Sequence, residues 1–144
     1  DQGLGDLFVI RIAGNIVAPS QIGSIEFAAE AFGTPLVVVL GHTRCGAISA
    51  TIEQIQQPRE TRSKHLHSIV ERIRPSVEPL LQTELGKDPE KLREQATRAN
   101  VRIAVDHLRH GSEILEDLLR EQKLRIVGAE YSLETGLVDF FEEM

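Results

Sequence analysis

Residues 36–48, LVVVLGHTRCGAI, join an apolar run to a histidine and to the only cysteine among the 144 residues. The unbroken Leu and Val run predicts a strand that is buried on both faces, as in a parallel sheet. His42 and Cys45 follow it directly, and ligands of open α/β sheets bind beyond the carboxyl ends of the strands. Imidazole and thiolate are donors that Zn²⁺ prefers, so the two residues are candidate metal ligands.

Spacing alone leaves the chemistry of His42 and Cys45 open. Zinc takes three or four protein ligands in most sites, and only two candidates lie here. The same two residues fit a buried thiol beside a structural histidine, or a Cys–His nucleophile pair. The flanking Gly41 and Gly46 leave room for close backbone geometry in each case.

The remaining sequence alternates strand and helix patterns. This alternation predicts an α/β fold with three layers, in which helices flank a mainly parallel sheet. The predicted strands are 7–13, 36–40 and 124–129, with a turn and an edge strand within 131–140. The predicted helices are 24–32 capped by Ser24, 45–57, 64–82 broken or kinked at Pro75 and Pro79, 89–110 begun by Asp88 and Pro89, and 112–121 capped by Ser112.

Length and charge narrow the possible functions. A chain of 144 residues is the size of one domain, so we expect residues 1–144 to form a single one. The net charge of -6 argues against nucleic acid and against anionic lipid as partners. We expect no membrane span, since no apolar run approaches about 20 residues. A lone cysteine favours a reducing, cytoplasmic compartment.

Three segments together resemble the β-class carbonic anhydrases. They are GDLFVIRIAGN at 5–15, GHTRCGA at 41–47 and IVGAEYSLETGLV at 126–138, and the resemblance extends over residues 3–140. It implies a β-carbonic-anhydrase-like fold, reversible hydration of carbon dioxide to bicarbonate, and a zinc ion held by two cysteines and a histidine. By motif match His42 is the histidine ligand and Cys45 is the second cysteine.

The family's remaining site residues have no counterpart here. The first zinc cysteine and an Asp-Arg pair belong to a C-x-D-x-R segment that should precede residue 5 by a dozen or so positions. We therefore assign no catalytic residue, and we expect residues 1–144 to lack the family's N-terminal helix and first strand. Two alternatives follow, an inactive, zinc-poor relative with a structural or bicarbonate-sensing role, and a zinc hydrolase of carbon disulfide or carbonyl sulfide.

The resemblance also implies a substrate pocket. Phe8, Ala13, Phe27 and Gly46 match positions that line it, and in the family a second subunit completes it, so we expect a homodimer or homotetramer. The simpler alternative is that the first three residues are core residues and that Gly46 opens a helix.

Other charged and titratable residues are expected to be structural or exposed. Arg11 and Tyr131 match part of a regulatory bicarbonate site of some relatives, but the tryptophan that accompanies them is missing, so we expect no such regulation. The expected surface or structural residues are His65, His67, His107 and His110, and the acidic face formed by Glu113, Glu116, Asp117 and Glu121.

Overall fold

A computed structural model describes residues 2–60 and 63–141. Short 3-10 turns at Ala13–Asn15 and Glu84–Lys87 accompany the regular elements. In chain order these are α1 (Pro19–Phe32), β1 (Leu36–His42), α2 (Gly46–Gln56), α3 (Lys64–Leu81), α4 (Pro89–His110), α5 (Glu113–Arg120), β2 (Arg125–Tyr131) and β3 (Val138–Phe140).

The described strands form one sheet in the order β1-β2-β3. β1 and β2 are parallel, in a register that runs from Leu36 opposite Arg125 to His42 opposite Tyr131. β3 returns antiparallel and pairs Val138 with Tyr131. The α/β class with a mainly parallel sheet is thus confirmed, as is the edge strand near the C-terminus.

Helix α4 lies at the centre of the packing. One side of α4 packs with α1, α5 and the sheet, where Val101 and Leu108 are almost completely buried. Its N-terminal half packs against α2 and α3 through Leu92 and Ala96. Because α4 contributes buried residues to both clusters, it joins the two halves of the core. Full burial of a Val or Leu side chain contributes about 1.5–3 kcal/mol.

Two glycines let α4 approach the sheet closely. A Cβ on Gly41 of β1 would lie 2.6 Å from Cγ2 of Val101, and one on Gly128 of β2 would lie 2.9 Å from its Cγ1. Both distances are shorter than carbon atoms tolerate, so the absence of a side chain at each position sets the spacing between sheet and helix. Gly41 directly precedes His42, and this contact therefore fixes the end of β1.

Helix ends follow the predicted signals at α4 and α5. The Asp88 carboxylate accepts hydrogen bonds from the N–H groups of Glu90 and Lys91, and Pro89 is the first residue of α4. The Ser112 hydroxyl accepts from the N–H of Leu115. Such N-caps satisfy N–H groups that have no partner within the helix.

The predicted strand at 7–13 is wrong. Residues 7–12 pair with no strand of the described sheet, and Ala13–Asn15 is a 3-10 turn. An apolar, β-branched run has the composition of a buried strand, but it forms one only where a neighbouring strand accepts its hydrogen bonds. Leu7 and Val9 are instead exposed.

Helix α1 begins five residues before the predicted start. Pro19 is its first residue, where the missing N–H costs nothing and the fixed φ suits a helix. Ser24 is therefore inside the helix, and its hydroxyl donates to the Ser20 carbonyl rather than capping the N-terminus. The predicted end is correct, since Gly33 adopts a left-handed φ of 61°.

A break or a kink is expected at Pro75 and Pro79, and the break is wrong, because α3 runs through both prolines. The two residues are four apart, and both are exposed. The carbonyls that lose their N–H partners, those of Glu71 and Pro75, lie on the same solvent side, where water can satisfy them.

Within residues 2–60 and 63–141, no helix is both long enough and apolar enough to cross a bilayer.

Candidate metal centre

The two candidate ligands lie at the junction of β1 and α2. His42 is the last residue of β1 and is exposed, whereas Cys45 is the N-cap residue of α2. Cys45 is 7% exposed and lies in the apolar cluster that also contains Ile48 and Ile73. The structure thus places the imidazole and the sulfur on one short connection at the carboxyl end of the sheet, as the sequence predicts.

The hydrogen bond of His42 defines which ring nitrogen is free. Nδ1 lies 2.8 Å from the carbonyl oxygen of Thr43. A carbonyl oxygen only accepts, so Nδ1 carries the hydrogen and donates it, which leaves the Nε2 lone pair available. Histidines that bind metals commonly donate their second ring nitrogen to a carbonyl in this way.

The two residues between the candidate ligands are tied to the turn after β2. The main-chain N–H of Thr43 donates to the Tyr131 carbonyl at 3.0 Å, which extends the parallel ladder by one bond. The Thr43 hydroxyl donates to Oε2 of Glu134 at 2.9 Å and accepts from the N–H of Leu133 at 3.0 Å. Arg44 has a φ of 55°, and its Nε lies 2.7 Å from Oε1 of Glu134.

Glu134 thus binds both intervening residues through its two carboxylate oxygens. The hydrogen bond from the Thr43 hydroxyl is the main reason that the pKa of this carboxyl lies below its usual range. The sequence did not single out Glu134, since it lies 91 positions from Thr43 and no local pattern relates the two. Only the parallel register of β1 and β2 predicts their proximity.

The turn at Ala13–Asn15 lies beside the same junction. Asn15 Oδ1 would be 3.6 Å from a Cβ on Gly41, and the Asn100 amide donates to the Gly14 carbonyl at 2.7 Å. The Nδ2 atom of Asn15 is buried and has no hydrogen-bond partner. Ala13, one of the expected pocket residues, is thereby held close to the end of β1.

The other expected pocket residues lie in two separate parts of the structure, an aromatic cluster and the start of α2. Phe8 and Phe27 contact each other, with ring centroids 6.5 Å apart, and Phe32 joins them. They are not core residues, since 46% of Phe8 and 56% of Phe27 is exposed. Gly46 is the first residue of α2, and nothing lies within 4 Å of the position a Cβ would take.

A charged cluster lies on the sheet next to β1. Glu130, which pairs with Gly41 in the register, is 8% exposed, and its Oε1 lies 3.4 Å from Arg98 on α4. Arg98 also binds Asp139 of β3 at 2.8 Å. Burial raises the pKa of Glu130, and the nearby Arg98 charge opposes that rise without cancelling it. The second carboxylate oxygen of Glu130 has no partner.

The remaining titratable candidates lie at the surface. Arg11 is exposed, and since it is not in a strand its charge needs no buried partner. His65, His67, His107 and His110 are exposed on α3 and α4, where His110 lies 3.4 Å from Asp106. In the acidic face of α5, Asp117 pairs with Arg120 at 2.9 Å.

The donor set is consistent with zinc but is incomplete in these residues. One imidazole nitrogen and one thiol sulfur are the ligand types of zinc sites. Among the residues that the structure describes, no three His, Cys, Asp or Glu side chains are grouped closely enough to hold a metal ion. His42 and Cys45 therefore account for two of the three or four protein ligands such a site has.

Comparison with known proteins identifies the family. The family model described as carbonic anhydrase matches residues 1–138, which is nearly the whole chain. The chain belongs to the β-class carbonic anhydrases. The expectation drawn from the three sequence segments is therefore confirmed at the level of the family.

Curated relatives of this carbonic anhydrase chain include two mycobacterial enzymes. It is 37% identical to the carbonic anhydrase of Mycolicibacterium smegmatis, over 96% of this chain and 65% of the relative. It is 35% identical to carbonic anhydrase 2 of Mycobacterium tuberculosis, over 94% of this chain and 63% of the relative. The chain thus spans a little under two thirds of the length of the relatives it matches.

Solved structures of β-carbonic anhydrases have the same fold as this chain. The β-carbonic anhydrase CcaA superposes with a TM-score of 0.82 at 24% identity, over 97% of this chain and 69% of that one. One of two tetrameric β-carbonic anhydrases from Sordaria macrospora gives 0.84 at 18% identity, over 98% and 71%. At these identities the comparison supports the fold alone.

Proposed function

We propose that this carbonic anhydrase chain is part of an enzyme that reversibly hydrates carbon dioxide to bicarbonate and a proton at a zinc ion. The pairing of His42 at the end of β1 with Cys45 at the start of α2 carries the proposal, since it puts a nitrogen and a sulfur donor on one connection. Membership of the family supports the reaction.

In this proposal His42 binds zinc through Nε2 and Cys45 through its sulfur. The Thr43 carbonyl, which accepts the Nδ1 hydrogen at 2.8 Å, orients the imidazole. The apolar cluster around Cys45 keeps water from one side of the sulfur. When bound, zinc supplies Lewis-acid activation of water near neutral pH. The other zinc ligands, and the Asp-Arg pair, come from outside the described residues.

We assign Phe8, Ala13, Phe27 and Gly46 to the binding of carbon dioxide and bicarbonate. The exposed Phe8 and Phe27 rings offer an apolar surface for the uncharged gas. Gly46 begins α2, its N–H has no acceptor within the helix, and the Cys45 side chain does not cap the first turn. A helix N-terminus of this kind favours an anion such as bicarbonate.

We also propose that the protein is a homodimer or homotetramer. On β1, Leu36, Val38 and Leu40 alternate with less exposed residues and are 39–49% exposed, and Phe27 and Phe32 are also exposed. Monomers rarely expose extensive apolar patches, which favours a second copy of the chain as the partner that covers this patch.

The single cysteine, which has no partner for a disulfide within this sequence, favours a cytoplasmic location.

Metal analysis with stopped-flow carbon dioxide hydration tests the proposed function. We expect the full-length protein to bind about one zinc per chain, and Cys45→Ser and His42→Gln to lose both zinc and activity. His65→Gln, which changes an exposed histidine of α3, is the matched control and should keep both. Zinc binding without carbon dioxide hydration would favour another substrate, and a metal-free protein would refute the proposal.

A further inference from the structure

The connection between His42 and Cys45 has only two residues, Thr43 and Arg44. The relative position of the Cα atoms of the two candidate ligands therefore depends on the four backbone dihedrals of those residues. Arg44 adopts a φ of 55°, a left-handed conformation that residues other than glycine adopt infrequently and at some cost. Contacts from elsewhere in the fold must hold this conformation.

Glu134 supplies two of those contacts, in addition to the hydrogen bonds of Thr43 with Tyr131 and Leu133. Its Oε2 accepts from the Thr43 hydroxyl at 2.9 Å, and its Oε1 lies 2.7 Å from Nε of Arg44. The carboxylate is itself held, since the Ser132 hydroxyl donates to Oε2 at 3.2 Å. The pKa of Glu134 lies below its usual range, mainly through the Thr43 hydrogen bond, so the carboxylate is charged at neutral pH.

Exposure indicates that this arrangement contributes little to overall stability. The Arg44 side chain is 76% exposed and that of Glu134 is 39% exposed, and exposed ion pairs stabilise folded proteins only slightly. What the carboxylate does provide is a fixed geometry, because one rigid group binds both residues of the connection. Its effect is expected at the metal centre rather than in the fold.

We propose that Glu134 is a positioning residue for the zinc centre, which holds Thr43 and Arg44 so that His42 and Cys45 converge on one ion. The inference rests on the proposed function, since it takes these two residues as zinc ligands. Glu134 itself does not bind the metal in this account. It acts through the connection, as outer-shell groups around metal ligands commonly do.

The test is zinc affinity of the full-length protein, measured by competition with a chromogenic chelator. We expect Glu134→Ala to weaken binding by about 10- to 100-fold, the range found for outer-shell partners of metal ligands. Glu134→Gln keeps an acceptor for Thr43 but loses the charge that binds Arg44, so a smaller loss is expected. Glu121→Gln is the matched control, because Glu121 is also an exposed carboxylate with a cationic partner, Lys123 at 2.7 Å.

A second readout separates positioning from folding. With Co²⁺ in place of zinc, the visible absorption spectrum reports the ligand geometry, and we expect Glu134→Ala to shift it while the urea midpoint of the metal-free protein stays the same. Thr43→Val removes the same hydrogen bond from the other side, and its effect on zinc affinity should not add to that of Glu134→Ala.

The outcomes distinguish this inference from the function on which it rests. If Cys45→Ser abolishes zinc binding but Glu134→Ala binds zinc as tightly as the wild type with an unchanged cobalt spectrum, the positioning role is wrong and the metal site stands. If Cys45→Ser binds zinc like the wild type, the metal site itself is wrong, and the inference falls with it.

Discussion

Gly41→Ala is the substitution for which the structure predicts the clearest cost. The added Cβ would lie 2.6 Å from Cγ2 of Val101 and 3.4 Å from Cγ2 of Thr97. Val101 has few rotamers as a β-branched residue, and its other methyl is packed against Gly128, where an added Cβ would lie 2.9 Å from Cγ1. The helix or the strand must move, and overpacking of this kind costs about 1–3 kcal/mol.

Urea unfolding followed by circular dichroism measures this cost. We expect Gly41→Ala to lower the free energy of unfolding by about 1–3 kcal/mol. Gly23→Ala is the matched control: Gly23 lies inside α1 and nothing is within 4 Å of its Cβ position. The control should stabilise the protein by about 0.5–1 kcal/mol, since alanine suits a helix interior better than glycine.

Val101→Ala tests whether Val101 is the residue that resists the new methyl. Alone it should destabilise, because two buried methyl groups contribute about 0.8 kcal/mol each. Combined with Gly41→Ala, it makes room for the added Cβ, so the double variant should be more stable than the sum of the two costs by about 0.5–3 kcal/mol. A Gly41→Ala protein as stable as the wild type, or strictly additive costs, would refute the proposed close packing.

Two further predictions concern stability. Because burial raises the pKa of Glu130 above 4.5, the folded protein holds this proton more tightly than the unfolded chain, and the stabilisation it gives at low pH is lost as the pH rises through the folded pKa. In urea unfolding, the stability of Glu130→Gln relative to the wild type should thus increase between pH 4 and pH 7, and a trend of opposite sign would contradict the assignment. Asp88→Ala removes the cap of α4 and should lower the free energy of unfolding by about 1 kcal/mol in the same assay, an effect that Asp88→Asn should largely spare.

Local patterns predicted the elements whose signals lie within a few residues. The position of β1, the capped starts of α4 and α5 and the end of α1 at Gly33 agree with the sequence analysis, because apolar runs and capping act over a few residues. The expected burial of β1 on both faces is wrong for this chain, since Leu36, Val38 and Leu40 are 39–49% exposed. The turn before β3 agrees on the same grounds, and its Gly136 has a φ of 73°.

The errors arise where the outcome depends on distant partners. Residues 7–12 have the composition of a strand, yet whether such a run pairs depends on which strand lies beside it. Pro75 and Pro79 favour a helix break, and the sequence alone does not show that both residues face solvent on one side of α3. In each case the local propensity favours one structure, and the tertiary context stabilises another.

The candidate metal centre likewise contains residues that local sequence patterns indicate and one residue that depends on a distant contact. His42 and Cys45 stand out because an apolar strand ends just before them. Glu134, which binds the two residues between them, has no local signal, since its contact with Thr43 exists only through the parallel pairing of β1 with β2. The sequence thus indicates the two candidate donors, whereas the contacts of Glu134 with the connection between them depend on the tertiary fold.

X-ray absorption at the zinc edge of the full-length protein measures most directly whether His42 and Cys45 bind the same ion. The account predicts a shell with sulfur at about 2.3 Å and nitrogen at about 2.0–2.1 Å, with one sulfur fewer in a Cys45→Ser sample loaded at high zinc and an altered imidazole contribution in His42→Gln. A zinc shell without sulfur, or one that neither substitution changes, would contradict it.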